Sequence, residues 1–376
     1  MLRNLAASSR PIAKGIRSFA LAVKYTATGP ASEVYKLVNC EPIGALGATE
    51  VALKFIAAPI NPSDINLAEG TYGTKAQLPA VGGNEGVAMV DRVGSGVKTL
   101  KVGDWVIPTR PPFGTWTQEA KADEGVLVKI PNDLPAAYAA TISANPASAY
   151  RMLRDFENLV PGDVIIQNGA NSMVGHAVVQ MAKLMGVRTI NIVRADRPEL
   201  GDALRLLTNL GGDINITDSY LKSGKFHEVV ADLPPIKLAL NCIGGDNATD
   251  MARVLGAGGT MVTYGGMSKR PLALPFELLA YKQLKMKGFW ISKWYETCTA
   301  VERESMLEEI AQQIRSQQLT FLFRTHDLDD FPYALKKATE PFQTRKVVLS
   351  CNFPDRMAEH DARDPEDYWI FEAPVV

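Results

Sequence analysis

The segment that decides the fold reads VIIQNGANSMVG and covers residues 164–175. Its apolar start predicts a buried strand at 164–167, its small residues a tight loop, and the apolar run that follows a helix over 174–185. Such a loop suits a phosphate group, because small residues let the backbone approach closely and the helix N-terminus offers free N–H groups. The strict glycine fingerprint is not kept, since Ala170 and Ser172 stand at the first two glycine positions and only Gly175 remains. A plain β–α turn of another α/β protein therefore stays open as an alternative.

The rest of the chain divides into a β-rich part and an alternating part. After the loop we expect a helix around 198–210 and strands at 189–193, 214–217, 238–245 and 259–266. Strands that alternate with helices at this spacing predict a parallel, doubly wound sheet. Before it, short β-like runs broken by Gly and Pro predict a β-rich domain. A charged helix follows residue 300, and a final β-like piece covers 345–350.

Composition excludes several classes of protein. The chain has 376 residues, of which 46% are hydrophobic and 22% charged, enough for the cores of about two domains. A formal net charge of −1, with no basic run in the middle of the chain, disfavours nucleic acid as a partner. No apolar run approaches the ~20 residues that span a bilayer, so no integral membrane segment is expected. Four scattered cysteines and four histidines disfavour both a disulfide framework and a zinc site.

The two ends of the chain differ in charge from the middle. Residues 1–24 carry five basic side chains and no acid, and we expect them to lie outside the fold. This composition predicts a mitochondrial transit peptide and a location in the mitochondrial matrix, although Pro11 would break the amphipathic helix. A plain cytosolic N-terminus is the alternative. The acidic segment 352–376 is expected to be a solvated extension, or one whose aromatic residues dock on the body or on a partner.

The residue after the second predicted strand indicates which dinucleotide is bound. NAD-binding folds place an acid there to bond the ribose 2′-hydroxyl, whereas this chain has Arg194. A guanidinium suits a 2′-phosphate, and Arg197 stands nearby to share that role, so NADPH is favoured over NADH. Asp196 could orient the arginines or bond a ribose hydroxyl. A solvated surface arginine at a strand end is the alternative interpretation.

Seven landmarks in this order resemble a known family. They are INPSDINLAEGTYG (60–73), GGNEGV (82–87), NPASAYRML (145–153), QNGANSMVG (167–175), NIVRADRP (191–198), VTYGGMS (262–268) and GFWISKW (288–294). Over about residues 24–350 the chain resembles the mitochondrial 2-enoyl thioester reductases of the medium-chain dehydrogenase/reductase superfamily. The resemblance implies a GroES-like catalytic domain at 25–147, a Rossmann NADPH-binding domain at 148–296, a return to the catalytic domain at 297–351, and a homodimer.

The resemblance also implies roles for individual residues. Tyr72 matches the family's proton donor, with a loop aromatic between Thr71 and Gly73 as the alternative interpretation. Cofactor contacts are implied at Asn145, Asn171, Ser172, Met173, Val174, Arg194, Ala195, Asp196, Tyr264, Gly265, Gly266, Met267, Phe289, Trp290, Ile291 and Lys346. The aromatic run that includes Trp290 and Trp294 could instead belong to a core or a subunit interface.

Zinc-dependent relatives differ at two positions. They place a Cys near the position of Pro62 and a His in a Gly-His-Glu motif, where this chain has Asn84 between Gly83 and Glu85. Without thiolate and imidazole ligands no metal site is expected. Glu85 is then expected to have a structural or hydrogen-bonding role.

The function expected from this reasoning is reduction of a trans-2-enoyl thioester, carried by CoA or acyl carrier protein, in mitochondrial fatty acid synthesis. The chemistry requires a hydride at Cβ, a stabilised enolate and a proton at Cα, and a phenol such as Tyr72 keeps its proton at neutral pH. An NADPH:quinone oxidoreductase on the same fold is one alternative. A non-enzymatic NADPH-binding regulatory protein is another.

Overall fold

Residues 19–352 are described by the computed structural model. Their strands form a seven-stranded sheet, a six-stranded sheet and a small three-stranded sheet. The α/β class expected from the sequence, with a β-rich part and a doubly wound parallel part, is confirmed. Among these residues, none of the helices combines the length and the apolarity that crossing a bilayer requires.

The first part of the chain is mostly β-structure. Its elements are β1 (Ala20–Tyr25), α1 (Ala31–Val34), β2 (Lys36–Cys40), β3 (Glu50–Pro59), α2 (Pro62–Ala68), β4 (Ala80–Val81), β5 (Val87–Val93), β6 (Trp105–Pro108), β7 (Glu119–Asp123), β8 (Leu127–Ile130) and α3 (Ala136–Thr141). β3 is long and buried because its β-branched, aromatic and small side chains pack on both faces. It pairs antiparallel with β5 and β7 and forms the centre of the seven-stranded sheet.

The middle of the chain alternates between strands and helices. Its elements are α4 (Asn145–Asp155), β9 (Val164–Asn168), α5 (Met173–Leu184), β10 (Arg188–Val193), α6 (Leu200–Asn209), β11 (Ile214–Thr217), α7 (Asp218–Leu221), α8 (Lys225–Val230), β12 (Ile236–Asn241), α9 (Gly245–Val254), β13 (Thr260–Thr263), α10 (Phe276–Ala280), β14 (Lys285–Gly288) and α11 (Ile291–Thr297). The parallel sheet has the order β11-β10-β9-β12-β13-β14. The order reverses beside β9, so the loop after β9 lies where such sheets bind ligands.

The last described part of the chain returns to the first sheet. It contains α12 (Ala300–Arg315), β15 (Phe323–Asp327), α13 (Phe331–Thr339) and β16 (Lys346–Ser350). β16 runs antiparallel to β3, with Val348 opposite Pro59, and β15 runs parallel to β16. The seven-stranded sheet is therefore built from the first and the last of the described parts of the chain.

One continuous core joins the two sheets. Buried side chains of β3 and β6 share it with α3, α4, α5 and α12. α3 is buried at all six of its positions, and the chain passes from it directly into α4. The junction between the β-rich and the alternating parts is thus a packed interior, which positions their side chains relative to one another.

The structure corrects three boundaries expected from the sequence. Residues 20–24 belong to the fold, because β1 pairs with β2 from Ala20 onward and Val23 is fully buried. The strand expected at 238–245 covers Ile236–Asn241, since the left-handed backbone of Gly244 turns the chain into α9. The strand expected at 259–266 is limited to Thr260–Thr263. Residues 1–18 of the expected transit peptide and residues 353–376 lie outside the described residues.

Candidate active site

The loop after β9 forms a tight cradle at the N-terminus of α5. Ser172 caps this 12-residue helix, its Oγ accepting a hydrogen bond from the N–H of Gly175 over 3.1 Å. A Cβ on Gly175 would collide with the backbone of Ala170, so the turn requires a glycine there. Gly169 has a φ of +60°, and a Cβ there would lie 2.5 Å from the Cys242 sulfur. This tight turn fits a dinucleotide, because the N–H groups of Met173 and Val174 make no hydrogen bond among the described residues and are left for a pyrophosphate.

Two arginines follow β10 at the expected adenosine end of that site. The exposed Arg194 donates to Asp196 through Nε at 3.0 Å and Nη2 at 2.6 Å. Arg197 is buried and donates through Nη2 to the carbonyl of Phe342 over 3.2 Å. Its Nε is buried and has no hydrogen-bond partner among the described residues. A guanidinium with an unused buried donor fits a phosphate group at this position.

The loop that leads from α13 to β16 crosses this candidate cofactor site. We call residues 341–345 the strap. The Phe342 ring lies under the Arg194 guanidinium, 4.5 Å from its carbon, and the Gln343 carbonyl accepts from the Asn171 amide over 3.2 Å. Phe342 adopts a left-handed φ of +63°, which places its ring and carbonyl on the two arginines. No pattern in the sequence pointed to the strap.

Tyr72 lies in the turn after α2 and meets the aromatic segment that begins α11. The backbone N–H groups of Thr71 and Tyr72 both donate to the Asn66 carbonyl, which fixes the turn. The phenol oxygen of Tyr72 accepts a hydrogen bond from Trp290 Nε1 over 2.8 Å, and Ser292 Oγ lies 3.3 Å from it. The two rings are perpendicular, with centroids 5.5 Å apart. A phenol is thus held by an indole across the junction of the two parts of the chain.

The ends of β13 and β14 bring two other expected segments together. The N–H of Tyr264 donates to the Asn241 carbonyl and that of Phe289 donates to the Thr263 carbonyl. Gly265 packs on Cys242, where a Cβ would lie 3.1 Å from the carbonyl oxygen. The Met267 side chain is exposed beyond this turn. These segments lie at the carboxyl edge of the parallel sheet, where a nicotinamide ring would be expected.

A buried polar cluster occupies the junction beneath these segments. Lys346, the first residue of β16, donates from Nζ to the Ile60 carbonyl over 2.8 Å and to Asn61 Oδ1. The amide of Asn145, at the start of α4, donates to the same Asn61 oxygen over 3.3 Å. Glu85 and Asp64 complete the cluster. Burial raises the pKa of both carboxyl groups and lowers the pKa of Lys346, while the opposite charges partly compensate.

The structure therefore gathers the expected residues into three groups. Tyr72 lies with the Phe289–Ile291 segment, which the pairing of β13 and β14 brings beside the turn at 264–267. Asn145 lies with Lys346, and the 171–174 turn lies with the 194–196 segment through the strap. Trp294 does not reach Tyr72, since its ring packs under Arg151 at 4.6 Å. The sequence reasoning missed Ser292, Asn61, Phe342 and His176, a buried imidazole on α5.

The described side chains also show whether this site could bind a metal ion. Within residues 19–352, the His, Cys, Asp and Glu side chains form no group of three or more that could hold a metal ion. Asn84, at the position of the histidine in zinc-dependent relatives, has both side-chain polar atoms buried without a partner among the described residues. Glu85 instead accepts hydrogen bonds from Asn61, Ser143 and the N–H of Ala144.

Comparison with known sequences gives matches along most of the chain. The family described as alcohol dehydrogenase GroES-like domain matches residues 47–132, and the family described as zinc-binding dehydrogenase matches residues 174–310. A mitochondrial enoyl-acyl-carrier-protein reductase of Dictyostelium discoideum is 41% identical over 345 residues, which are 91% of this chain and 98% of the relative. The Homo sapiens protein of the same name is 45% identical over 330 residues, 88% of each chain.

Solved structures of 2-enoyl thioester reductases also resemble this chain. The mitochondrial 2-enoyl thioester reductase Etr1p/Etr2p heterodimer from Candida tropicalis superposes with a TM-score of 0.82 at 33% identity, over 89% of this chain and all of the other. A complex of Etr1p with NADP and crotonyl-CoA gives a TM-score of 0.81 at 32% identity with the same coverage. The quinone oxidoreductase of Escherichia coli, complexed with NADPH, gives 0.76 at 20% identity over 88% of this chain and 99% of the other. The last similarity is one of fold alone.

Proposed function

The chain belongs to the family of mitochondrial enoyl-acyl-carrier-protein reductases, and from this membership we propose how its residues reduce trans-2-enoyl thioesters. It is an NADPH-dependent enoyl thioester reductase, an oxidoreductase of mitochondria. Its proposed substrate is an enoyl group on CoA or acyl carrier protein in mitochondrial fatty acid synthesis, and its proposed compartment is the matrix. The single observation that carries the mechanism is the Trp290 hydrogen bond to the Tyr72 phenol.

Bound NADPH supplies the hydride that is added to Cβ of the enoyl group. The chain's own contribution begins with the cradle, where the Asn171–Val174 turn and the N-terminus of α5 hold the pyrophosphate. Arg194 and Arg197 hold the 2′-phosphate, and Asp196, which pairs with Arg194 in the structure, releases that guanidinium to the phosphate. The remaining contacts are assigned to Asn145, Ala195, Tyr264, Gly265, Gly266, Met267, Phe289, Trp290, Ile291 and Lys346.

Tyr72 is proposed to donate the proton that Cα requires. Because its oxygen accepts the Trp290 N–H, its own hydrogen remains available for the substrate. As the proton leaves, the indole N–H still points at the phenol oxygen and stabilises the developing phenolate. Ser292 Oγ, 3.3 Å away, can rotate its hydroxyl to donate to the same oxygen. No residue in this step needs a metal ion.

A homodimer is proposed on the free edge of the parallel sheet. β14 pairs only with β13 among the described strands, so its other edge is open. An open edge beside exposed aromatic side chains is a candidate for pairing with a second copy. Phe276 and Tyr281, 67% and 78% exposed, lie just before β14 and contact each other edge to face, with ring centroids 5.8 Å apart.

The test compares the full chain with its Tyr72→Phe variant, following NADPH oxidation with a medium-chain trans-2-enoyl-CoA. We expect kcat to fall about a hundredfold with the NADPH dissociation constant unchanged, as for loss of a general acid. Tyr333→Phe, a matched change at an exposed phenol, should leave kcat unaltered. If both proteins reduce a quinone at the same rate and neither reduces the enoyl-CoA, the NADPH:quinone oxidoreductase alternative would be favoured. Saturable NADPH binding without turnover of either substrate would favour a regulatory protein.

A further inference from the structure

The Glu85 carboxylate joins the start of α4, which carries the proposed cofactor contact Asn145, to the turn before α2. It is 4% exposed, and its backbone carbonyl is fixed by the Thr115 hydroxyl at 2.7 Å. Its Oε1 accepts from Ser143 Oγ at 3.0 Å and from the N–H of Ala144 at 2.7 Å, directly before α4. Its Oε2 accepts from the Asn61 amide at 2.9 Å. One buried carboxylate therefore links the start of α4 to the turn before α2.

The Asn61 amide connects Glu85 to the proposed cofactor contacts Lys346 and Asn145. A carboxylate only accepts hydrogen bonds and an ammonium only donates them. Asn61 must therefore present its NH₂ group to Glu85 and its oxygen to Lys346, and the oxygen also accepts from Asn145. The orientation of this amide, and with it the acceptor offered to Lys346 and Asn145, is dictated by the negative side chain behind it.

We propose that Glu85 is a positioning residue for NADPH, which fixes the Asn61 amide so that Lys346 and Asn145 are held in their cofactor-binding positions. This inference rests on the proposed function, because it takes Lys346 and Asn145 as cofactor contacts. It assigns no contact between Glu85 and the cofactor itself. The residue acts through a series of hydrogen bonds from Ala144 through Glu85 and Asn61 to Lys346, in which each donor must face an acceptor.

Substitution of Glu85 by Gln tests this polarity at nearly constant size. If the new amide oxygen faces the Ala144 N–H, its NH₂ group faces Asn61, whose amide must rotate and turn its own NH₂ group toward the Lys346 ammonium. If the new amide is turned the other way, its NH₂ group opposes the Ala144 N–H. Either arrangement sets two donors against each other in a buried site, which is a costly mismatch.

Exchanging the carboxylate at position 85 with the amide at position 61 restores the pairing of donors with acceptors. In the double variant Glu85→Gln with Asn61→Asp, the new carboxylate at position 61 accepts from Gln at 85 and from Lys346. The buried negative charge is retained, and every donor again meets an acceptor. Asn61→Asp alone instead places two carboxylates face to face, so both single variants are mismatched and only the exchange is matched.

The experiment measures the NADPH dissociation constant, kcat, KM and the unfolding midpoint for the full chain and these three variants, with Glu228→Gln as an exposed matched control. We expect each single variant to bind NADPH at least tenfold more weakly, and the exchange variant to return to within about threefold of the wild type. A purely structural role would lower the unfolding midpoint and leave the NADPH constants of the folded protein unchanged. That result would overturn the proposal.

Other outcomes decide in the same way. If Glu85→Gln does not fold, Asn61→Asp and the exchange variant provide the comparison. An exchange variant that fails to fold, or that folds and still binds NADPH as weakly as the single variants, contradicts the proposed polarity. Lys346→Met separates the two levels of inference: unchanged NADPH affinity in this variant removes Lys346 from the proposed function. Unchanged affinity in Glu85→Gln, with Lys346→Met impaired, removes only the role of Glu85.

Discussion

Trp290 donates its indole N–H to the phenol oxygen of Tyr72 over 2.8 Å, although the two residues lie 218 positions apart in the chain. Tyr72 belongs to the β-rich part and Trp290 follows the last strand of the parallel sheet. The hydrogen bond therefore depends on the packing of one part against the other. Gly73 permits the approach, because a Cβ there would lie 2.9 Å from the Trp290 ring.

Trp290→Phe removes the N–H while it keeps an aromatic ring against Tyr72. We expect kcat with an enoyl-CoA to fall about fivefold, the effect of losing about 1 kcal/mol of hydrogen bonding in the transition state. Trp294→Phe, which changes the neighbouring indole under Arg151, should leave kcat unaltered. Steady-state kinetics of both variants provide the measurement. Equal kcat values for Trp290→Phe and the wild type would show that the indole does not act on the phenol.

Asp196→Asn should strengthen NADPH binding. In the structure the Asp196 carboxylate takes two donors of Arg194 that a 2′-phosphate would use. Removal of the negative charge frees the guanidinium and reduces repulsion of the phosphate, so we expect the NADPH dissociation constant to fall a few-fold and that of NADH to stay constant.

Arg194→Gln is the matched opposite change. It should raise the NADPH dissociation constant about thirtyfold, which corresponds to about 2 kcal/mol of binding free energy, and leave the NADH dissociation constant unchanged. Fluorescence titration with both cofactors distinguishes these effects. A similar loss for NADH and NADPH in Arg194→Gln would place the arginine away from the 2′-phosphate.

The strap should contribute to cofactor preference through Phe342. Phe342→Asn removes the ring beneath Arg194 and retains a residue that tolerates the left-handed φ of +63°. We expect NADPH to bind about threefold more weakly, as for loss of an exposed cation–π contact, with little change in the unfolding midpoint. An unfolding midpoint that falls while the NADPH affinity stays the same would mean that the strap serves stability alone.

His176 should make the free energy of unfolding depend on pH. Burial, aided by the nearby Arg197 charge, lowers its pKa from 6.5 to about 4. Below pH 6.5 the imidazole binds a proton in the unfolded chain but not in the folded chain. The contribution of His176 to the free energy of unfolding is therefore fully present above pH 6.5 and is lost as the pH falls toward 4. Between pH 7 and pH 5 the loss from this one group is about 2 kcal/mol.

His176→Gln removes this contribution, and urea titrations of the wild type and the variant at both pH values measure it. The buried carboxyls of Asp64 and Glu85, with raised pKa values, act in the opposite direction in both proteins and cancel in the difference. A difference that does not change between the two pH values would mean that His176 keeps an ordinary pKa in the folded protein.

The sequence predicted the parts of this molecule that depend on local pattern. The strand, loop and helix at 164–185 follow from hydrophobic periodicity and small residues, and they differ from the structure by one residue at the end of the strand and at each end of the helix. The expectation that residues 20–24 lie outside the fold was wrong, because the pairing of β1 with β2 and its contact with the Trp116 backbone are set by tertiary contacts. A basic N-terminal composition carries no signal for where pairing begins.

The contacts between distant segments were harder to predict. Nothing in the Pro-Phe-Gln sequence of the strap indicates that it crosses the Arg194 segment, since that contact depends on β16 returning to β3. Glu85 was correctly expected to serve in hydrogen bonding, because its neighbours lack metal ligands, but its partners at 61, 143 and 144 are defined only by the packed junction. The roles assigned to Tyr72, Lys346 and the other site residues stay predictions.

The insertion of β16 between β3 and β15 has a consequence for how the protein matures. As the chain is synthesised, or threaded through a membrane N-terminus first, the end of β3 at residues 57–59 emerges with an unpaired edge that is covered only after nearly all of residues 60–350 have arrived. β16 also begins with Lys346, so a chain truncated before it would lack both the covering strand and a proposed cofactor contact. NADPH capture would then act as a check on completeness, and interrupted chains would remain cofactor-free substrates for chaperones and proteases.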